Sequence, residues 1–339
     1  MTLATDRKAI LRGMKAATKL HRDMSTSDAV GGSVRVDVFD AIARAGALLM
    51  FKPLDPLLGA YMKQGNAKGV IITTRRPIGI QRFTAAHELG HMTLDHEPHA
   101  DDSNILRRGP RAGNYKSVPV EEREADAFAS HFLLPRSLIF KLHNQQEWDD
   151  LDYENPQTAY QASLRFGASY KATLLALERE DLISPPLRKK LDKVQPRDLK
   201  ADLVDGFDVA NWSNRDVWRL SEKDEGVVVE ANRNDLFLLK LTEHKSAGYL
   251  WTFDQLADAG FVVLKDEAEA LNPGRIGGAI RRYVLGDPQE LAEGSYTIKE
   301  ARPWDTDDDP RSLTFHYRHS RSTEEGVYDR QLDRLLRVR

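Results

Sequence analysis

The residues best suited to chemistry in this sequence are His87-Glu88-Leu89-Gly90-His91. Histidines four positions apart share a helix face, so both imidazoles can reach one Zn²⁺ at about 2.0–2.1 Å. The glutamate between them is set to act as general base toward a water held by the ion. A five-residue string also arises by chance, and two surface histidines on an ordinary helix would spell it equally well. A hydrolytic zinc site needs a third protein ligand and one open position. The longer spacing HExxHxxGxxH would require glycine at 94 and histidine at 97, where this chain has Leu94 and Glu97. A better source is the run Val120-Glu121-Glu122-Arg123-Glu124-Ala125-Asp126. Glu122 and Asp126 share a face at i and i+4, which suits a ligand and a carboxylate that orients one of the histidines. Glu124, about 200° around the helix from Glu122, is the competing ligand. The plainer alternative is a solvated acidic helix start, favoured by the dipole.

The elements that must position these groups are legible in outline. Phe83, Ala86 and Leu94 give the histidine segment an apolar stripe, and the pattern predicts a helix over about 81–96, with Gly90 admitting a close neighbour. A second helix is expected over about 120–132, ended by Leu133-Leu134-Pro135. Upstream, the spacing predicts helices over about 7–22 and 34–44, the latter capped near Ser33. A short strand over about 47–51 follows, and then the β-branched strand Gly69–Thr74. That last strand suits either a sheet edge that pairs with extended substrate or a place in the core. Helical texture continues to about residue 200. Beyond it, short alternating segments recur at intervals of roughly 8–15 residues, the pattern of an all-β sandwich. The expected class is α+β, with a mainly helical domain holding a small sheet and then an immunoglobulin-like sandwich. The expected division is a metal-site domain over 1–135, a helical extension with a helix–turn–helix-like element over 136–200, and the sandwich over 201–339.

Composition removes several alternatives. The chain has 339 residues and no cysteine, which excludes disulfide scaffolds, thiol nucleophiles and cysteine-ligated metal clusters. Its 52 acidic residues against 49 Lys and Arg leave a net charge of −3, with no whole-protein footprint for nucleic acid. No apolar run approaches the roughly 18 residues needed to cross a bilayer, and the first twenty residues lack a secretory apolar segment. A cytoplasmic location is the expectation.

Taken together, Arg82-Phe83-Thr84-Ala85-Ala86-His87-Glu88-Leu89-Gly90-His91, Glu122-Arg123-Glu124-Ala125-Asp126-Ala127-Phe128-Ala129 and Leu133-Leu134-Pro135 resemble the ImmA/IrrE family of zinc metallopeptidases over about 35–185. The resemblance implies a gluzincin-like site with one zinc per chain, held by His87, His91 and Glu122, with Glu88 as general base. It also implies, as substrate, a helix–turn–helix repressor cleaved in the cytosol to relieve repression, as in a stress response. A donor to the tetrahedral oxyanion is expected among Tyr115, His96 and Tyr61. The competing function is a catalytically silent metal-binding scaffold, or a regulator that acts through protein contacts. Direct DNA binding is not expected, because the helix–turn–helix-like element mixes Arg165, Lys171 and Arg179 with Glu178, Glu180 and Asp181.

The β-rich half carries a second resemblance. Ala247-Gly248-Tyr249-Leu250-Trp251, Gly274-Arg275-Ile276-Gly277-Gly278-Ala279 and Arg302-Pro303-Trp304 are similar, in order, to the three loops of chagasin-like cysteine peptidase inhibitors. The first loop reads Glu243-His244-Lys245-Ser246-Ala247-Gly248 where that family prefers Asn-Pro-Thr-Thr-Gly. This departure points to a binding module reused for another protein partner, or for regulating the peptidase, through Gly248, Tyr249, Gly277, Gly278, Arg302 and Trp304. The glycines permit tight loops and Trp304 supplies a rigid anchor, whereas Trp251, inside a strand, reads as core.

Overall fold

A computed structural model describes residues 3–24, 33–102, 118–205, 211–271, 279–288, 290–305, 311–320 and 325–332. The first half comprises α1 (Leu3–Asp23), α2 (Val38–Arg44), β1 (Ala47–Lys52), β2 (Leu57–Gln64), β3 (Ala67–Thr73), α3 (Ile78–Leu94), β4 (His99–Asp102) and α4 (Val120–Leu133). Six shorter helices follow: α5 (Arg136–Gln146), α6 (Asp150–Glu154), α7 (Pro156–Phe166), α8 (Tyr170–Arg179), α9 (Pro185–Leu191) and α10 (Pro196–Leu203). The remainder is β5 (Val217–Leu220), β6 (Val228–Ala231), β7 (Leu236–Glu243), β8 (Leu250–Thr252), α11 (Asp254–Asp258), β9 (Val262–Ala270), β10 (Ile280–Asp287), β11 (Gly294–Ala301), β12 (Arg311–His319) and β13 (Gly326–Val327).

In the helical half, α3 lies buried between the sheet and α4. Ala85 and Leu89 of α3 meet Phe128 and Phe132 of α4, Leu49 and Ile72 of the sheet, and Tyr160 and Leu174 of α7 and α8 in one apolar cluster. Burying each large apolar side chain contributes about 1.5–3 kcal/mol, so this cluster fixes α3 against its neighbours. Two glycines set the spacing. A Cβ on Gly90 would lie 3.1 Å from the Phe128 ring and 3.2 Å from Ala125 Cα. One on Gly13 would lie 2.2 Å from the Glu124 carbonyl oxygen, so α1 rests directly on the α4 backbone.

Two sequence expectations shift here. The helix expected from Val34 begins at Val38, because the Asp37 carboxylate caps it by accepting from Asp40 N at 3.0 Å. Val34 and Val36 instead enter the core as irregular chain that bends at Arg35. The Gly69–Thr74 strand has no free edge: β3 runs between parallel β1 and antiparallel β2 in the order β13-β1-β3-β2-β4. A substrate strand therefore cannot pair with it.

The second half packs sheet β5-β7-β10-β9 against sheet β6-β12-β11-β8 around Phe237, Trp251, Phe315 and Tyr317. Two details separate this from a simple division at residue 201. The strand β13 returns to pair with β1, Tyr328 enters the helical core, and Gln331 bonds both Leu49 N and Ala47 O. Buried polar contacts also bridge the halves: Arg165 pairs with Asp224 at 2.7 Å, and Arg35 with Glu230 at 3.2 Å. Burial pushes the Glu230 carboxyl up, but Arg35 and Arg82 outweigh it and hold the group below its ordinary pKa. Among the described residues no helix is long and apolar enough to cross a membrane.

Candidate metal centre

The α3 periodicity carries His87 and His91 to the same face, and their Nε2 atoms approach to 2.9 Å. Glu122, in the first turn of α4, brings carboxylate oxygens to 3.4 Å from His87 Nε2 and 3.6 Å from His91 Nε2. Both histidines are buried, and Glu122 is half-buried. Tetrahedral ligands at about 2.05 Å from a zinc ion stand roughly 3.3 Å apart, close to these separations.

The far side of each ring explains the convergence. Asp126, one turn beyond Glu122, puts a carboxylate oxygen 3.0 Å from His87 Nδ1, which favours a proton on that nitrogen. His91 Nδ1 faces His96 Nδ1 at 3.0 Å, and His96 Nε2 faces a Glu124 oxygen at 3.0 Å. A carboxylate only accepts, so His96 carries its proton on Nε2 and receives one from His91 on Nδ1. Both histidines thereby turn Nε2 toward each other and toward the Glu122 carboxylate. Two imidazole nitrogens and a carboxylate that converge in this way form a donor set that fits a divalent metal.

Glu88 is fully buried beside this face, with Gly59 of β2 at its back: a Cβ there would lie 3.2 Å from Glu88 Oε1 and 2.5 Å from Thr84 Cγ2. The two glutamates of α4 have different fates. Glu122 turns to the histidine pair, whereas Glu124 turns to His96 and to Arg12 Nη1 at 2.5 Å. His96 itself was an expected oxyanion donor. Instead it sits behind His91 with both ring nitrogens engaged, brought there by the left-handed residue Asp95 (φ 55°) that ends α3. Lys63 of β2 holds that cap at 2.8 Å and keeps the Asp95 carboxyl below its ordinary pKa. Tyr61 is buried on β2, two residues from Gly59, and its hydroxyl has no hydrogen-bond partner among the described residues. Burial pushes that phenol up. Tyr115 lies outside the described residues.

Sequence reasoning missed Arg12 and the linking role of His96. The available signals were Gly13 beside Arg12 and Asp95 as a left-handed cap. It also missed Arg82, a buried guanidinium that donates to Val36 O at 2.6 Å and Gly167 O at 3.1 Å, tying α3 to the loop between α7 and α8. Burial, then Arg35, pulls its pKa down to about 10. The helix–turn–helix-like pair is mostly internal: Arg165 of α7 turns inward to Asp224, and Arg179 of α8 donates to the Leu134 carbonyl.

At the end of the sandwich, Trp304 is 71% exposed and covers Gly248, where a Cβ would lie 2.5 Å from the indole. The Arg302 guanidinium stacks 4.5 Å from the Tyr249 ring centroid and donates to Ala247 O at 3.1 Å. Trp251 is buried. Gly277 and Gly278 lie outside the described residues.

Helical packing around a His–His–carboxylate cluster, with a buried glutamate between the histidines, defines a metallopeptidase-like domain. Residues 42–178 match the peptidase family model described as the IrrE N-terminal-like domain. Solved structures similar to the chain include the cysteine protease inhibitor EhICP2 from Entamoeba histolytica, at 30% identity and TM-score 0.27, covering 31% of this chain and 97% of that one. Amebosin is similar at 18% identity and TM-score 0.25, covering 31% and 98% of the two chains. A Mycobacterium tuberculosis transcriptional regulator is similar at 13% identity and TM-score 0.33, covering 85% and 83%. No curated protein matches the sequence.

Proposed function

We propose that this protein is a zinc-dependent endopeptidase of gluzincin type, with His87, His91 and Glu122 as metal ligands and Glu88 as general base. The observation that carries the reading is the convergence of two Nε2 atoms and the Glu122 carboxylate, each histidine held from behind. When bound there, zinc supplies a Lewis acid that polarises a peptide carbonyl and acidifies water. Glu88 takes the proton of the attacking water on a carboxylate oxygen and returns it to the departing amide nitrogen. The surrounding core excludes other water from Glu88, which strengthens its electrostatic coupling to the reacting groups. Tyr61, whose hydroxyl is otherwise unengaged among the described residues, is the candidate donor to the tetrahedral oxygen.

The substrate proposed is a cytosolic helix–turn–helix repressor, a reading that rests on resemblance to the ImmA/IrrE family. The sandwich is proposed to dock a protein partner through Tyr249, Arg302 and Trp304, supported by the exposure of that indole. The test is co-expression with any helix–turn–helix regulator found encoded beside this gene. A zinc-dependent cut that disappears in Glu88→Gln, with zinc still bound, supports the enzyme. An unchanged biological output from Glu88→Gln supports the scaffold instead.

A further inference from the structure

The two ligand histidines are supported unequally. Asp126 reaches His87 directly, but the support of His91 passes through another imidazole, a buried carboxylate and a guanidinium on a helix outside the matched stretch 42–178. We propose that Arg12, Glu124 and His96 form a positioning relay that fixes the tautomer of His91 and so couples the seating of α1 to metal affinity. The proposal rests on the metallopeptidase reading above.

With His96 neutral, each link has one workable proton arrangement. Glu124, 4% exposed, accepts from Arg12 Nη1 at 2.5 Å and from His96 Nε2 at 3.0 Å through the same oxygen. With its proton committed to Nε2, His96 presents a bare Nδ1 to His91 Nδ1 at 3.0 Å. That nitrogen draws the His91 proton to Nδ1 and turns the Nε2 lone pair toward the metal position. If the carboxylate were removed, His96 could take the other tautomer and donate from Nδ1. His91 would then carry its proton on Nε2, the atom that has to ligate.

Arg12 keeps Glu124 aimed and compensates its buried charge, and it also donates to Leu94 O at 3.4 Å, the last residue of α3. Its position follows from the neighbouring Gly13, which lets α1 touch the α4 backbone at Glu124 itself. Arg12, Glu124 and His96 are thus positioning residues, and Glu124 takes its place in the site from behind a ligand.

The experiment measures zinc affinity of the full chain by competition with a chromophoric chelator, together with the melting temperature of the metal-free protein. His96→Ala is expected to weaken zinc binding about 10–100-fold, the usual cost of losing a ligand's supporting partner. Arg12→Ala, on an exposed position that tolerates substitution, is expected to weaken it roughly 3–10-fold, with partial recovery in Arg12→Lys. The decisive arm is the double variant: with His96 already absent, Arg12→Ala should change affinity less than about twofold, because the route between them is cut. Any fall in metal-free melting temperature from Arg12→Ala should persist in both backgrounds. An equal loss of affinity from Arg12→Ala with and without His96 overturns the relay, as do single variants that bind zinc like the unmodified chain. Failure of the unmodified chain to bind zinc would instead remove the peptidase reading, and the relay with it.

Discussion

Replacing Gly13 with alanine sets two effects of known size against each other. In the interior of a helix, alanine is favoured over glycine by about 1 kcal/mol, so α1 considered alone predicts a gain in stability. Packing predicts the reverse. The new Cβ would stand 2.2 Å from the Glu124 carbonyl oxygen, 2.8 Å from Phe128 N and 3.0 Å from Ala127 Cβ. Ordinary contact starts near 3.4 Å, so α1 must retreat by about 1 Å, and the nearest two of these atoms are backbone that cannot rotate away. Overpacking of this kind costs about 1–3 kcal/mol, and the rigid opposing surface argues for the upper end. The net expectation is a loss of about 2 kcal/mol, or about 4–8 °C in melting temperature. Urea titration of the metal-free protein, followed by circular dichroism, measures it. Thr18→Ala, on the exposed side of α1, serves as the control that reports propensity together with loss of the local bond from its hydroxyl to Met14 O. A Gly13→Ala protein as stable as the unmodified one, or more stable, would refute the close seating of α1 on α4.

Other consequences follow from buried polar groups and from the tail. Burial, reinforced by Arg179, lowers the His131 pKa to about 4 from an ordinary 6.5, so the unfolded chain takes up a proton in that interval while the native protein resists it. Stability should therefore fall as pH drops from about 6.5 to about 4, by up to about 3 kcal/mol, and His131→Gln should flatten that limb of a pH–stability curve. Arg165→Ala leaves the Asp224 carboxylate buried without its 2.7 Å partner and should cost about 3–5 kcal/mol in chemical denaturation. The double replacement Arg165→Leu with Asp224→Leu should cost less than the single one. Truncation after residue 324 withdraws buried Tyr328 and uncovers the β1 edge. It should lower stability by about 3–5 kcal/mol and promote self-association detectable by gel filtration.

The elements that bear the site were legible wherever one strong local pattern governed them. The histidine helix and the acidic helix show helical spacing with punctuation by proline, and the structure places them at Ile78–Leu94 and Val120–Leu133. Weak or non-local signals were lost. Val217–Leu220 is only four residues long, and Gly326–Val327 exists as a strand because β1 offers it an edge. Val34 and Val36 fit a helical spacing on paper, yet they are buried in the core ahead of the helix that Asp37 caps.

The order of residues along two helices determined which groups face a common point, because a period of 3.6 places i and i+4 together whatever else surrounds them. It could name His87, Glu88 and His91, and it offered Glu122 and Glu124 as alternatives. Their separate fates were decided in three dimensions. Contact of α4 with α3 through Gly90 turns one carboxylate to the imidazoles, and contact of α4 with α1 through Gly13 turns the other to Arg12 and His96. Residues 12, 96 and 124 meet because separate helices and a capped turn share one packed core, a relation carried by no local spacing in the chain.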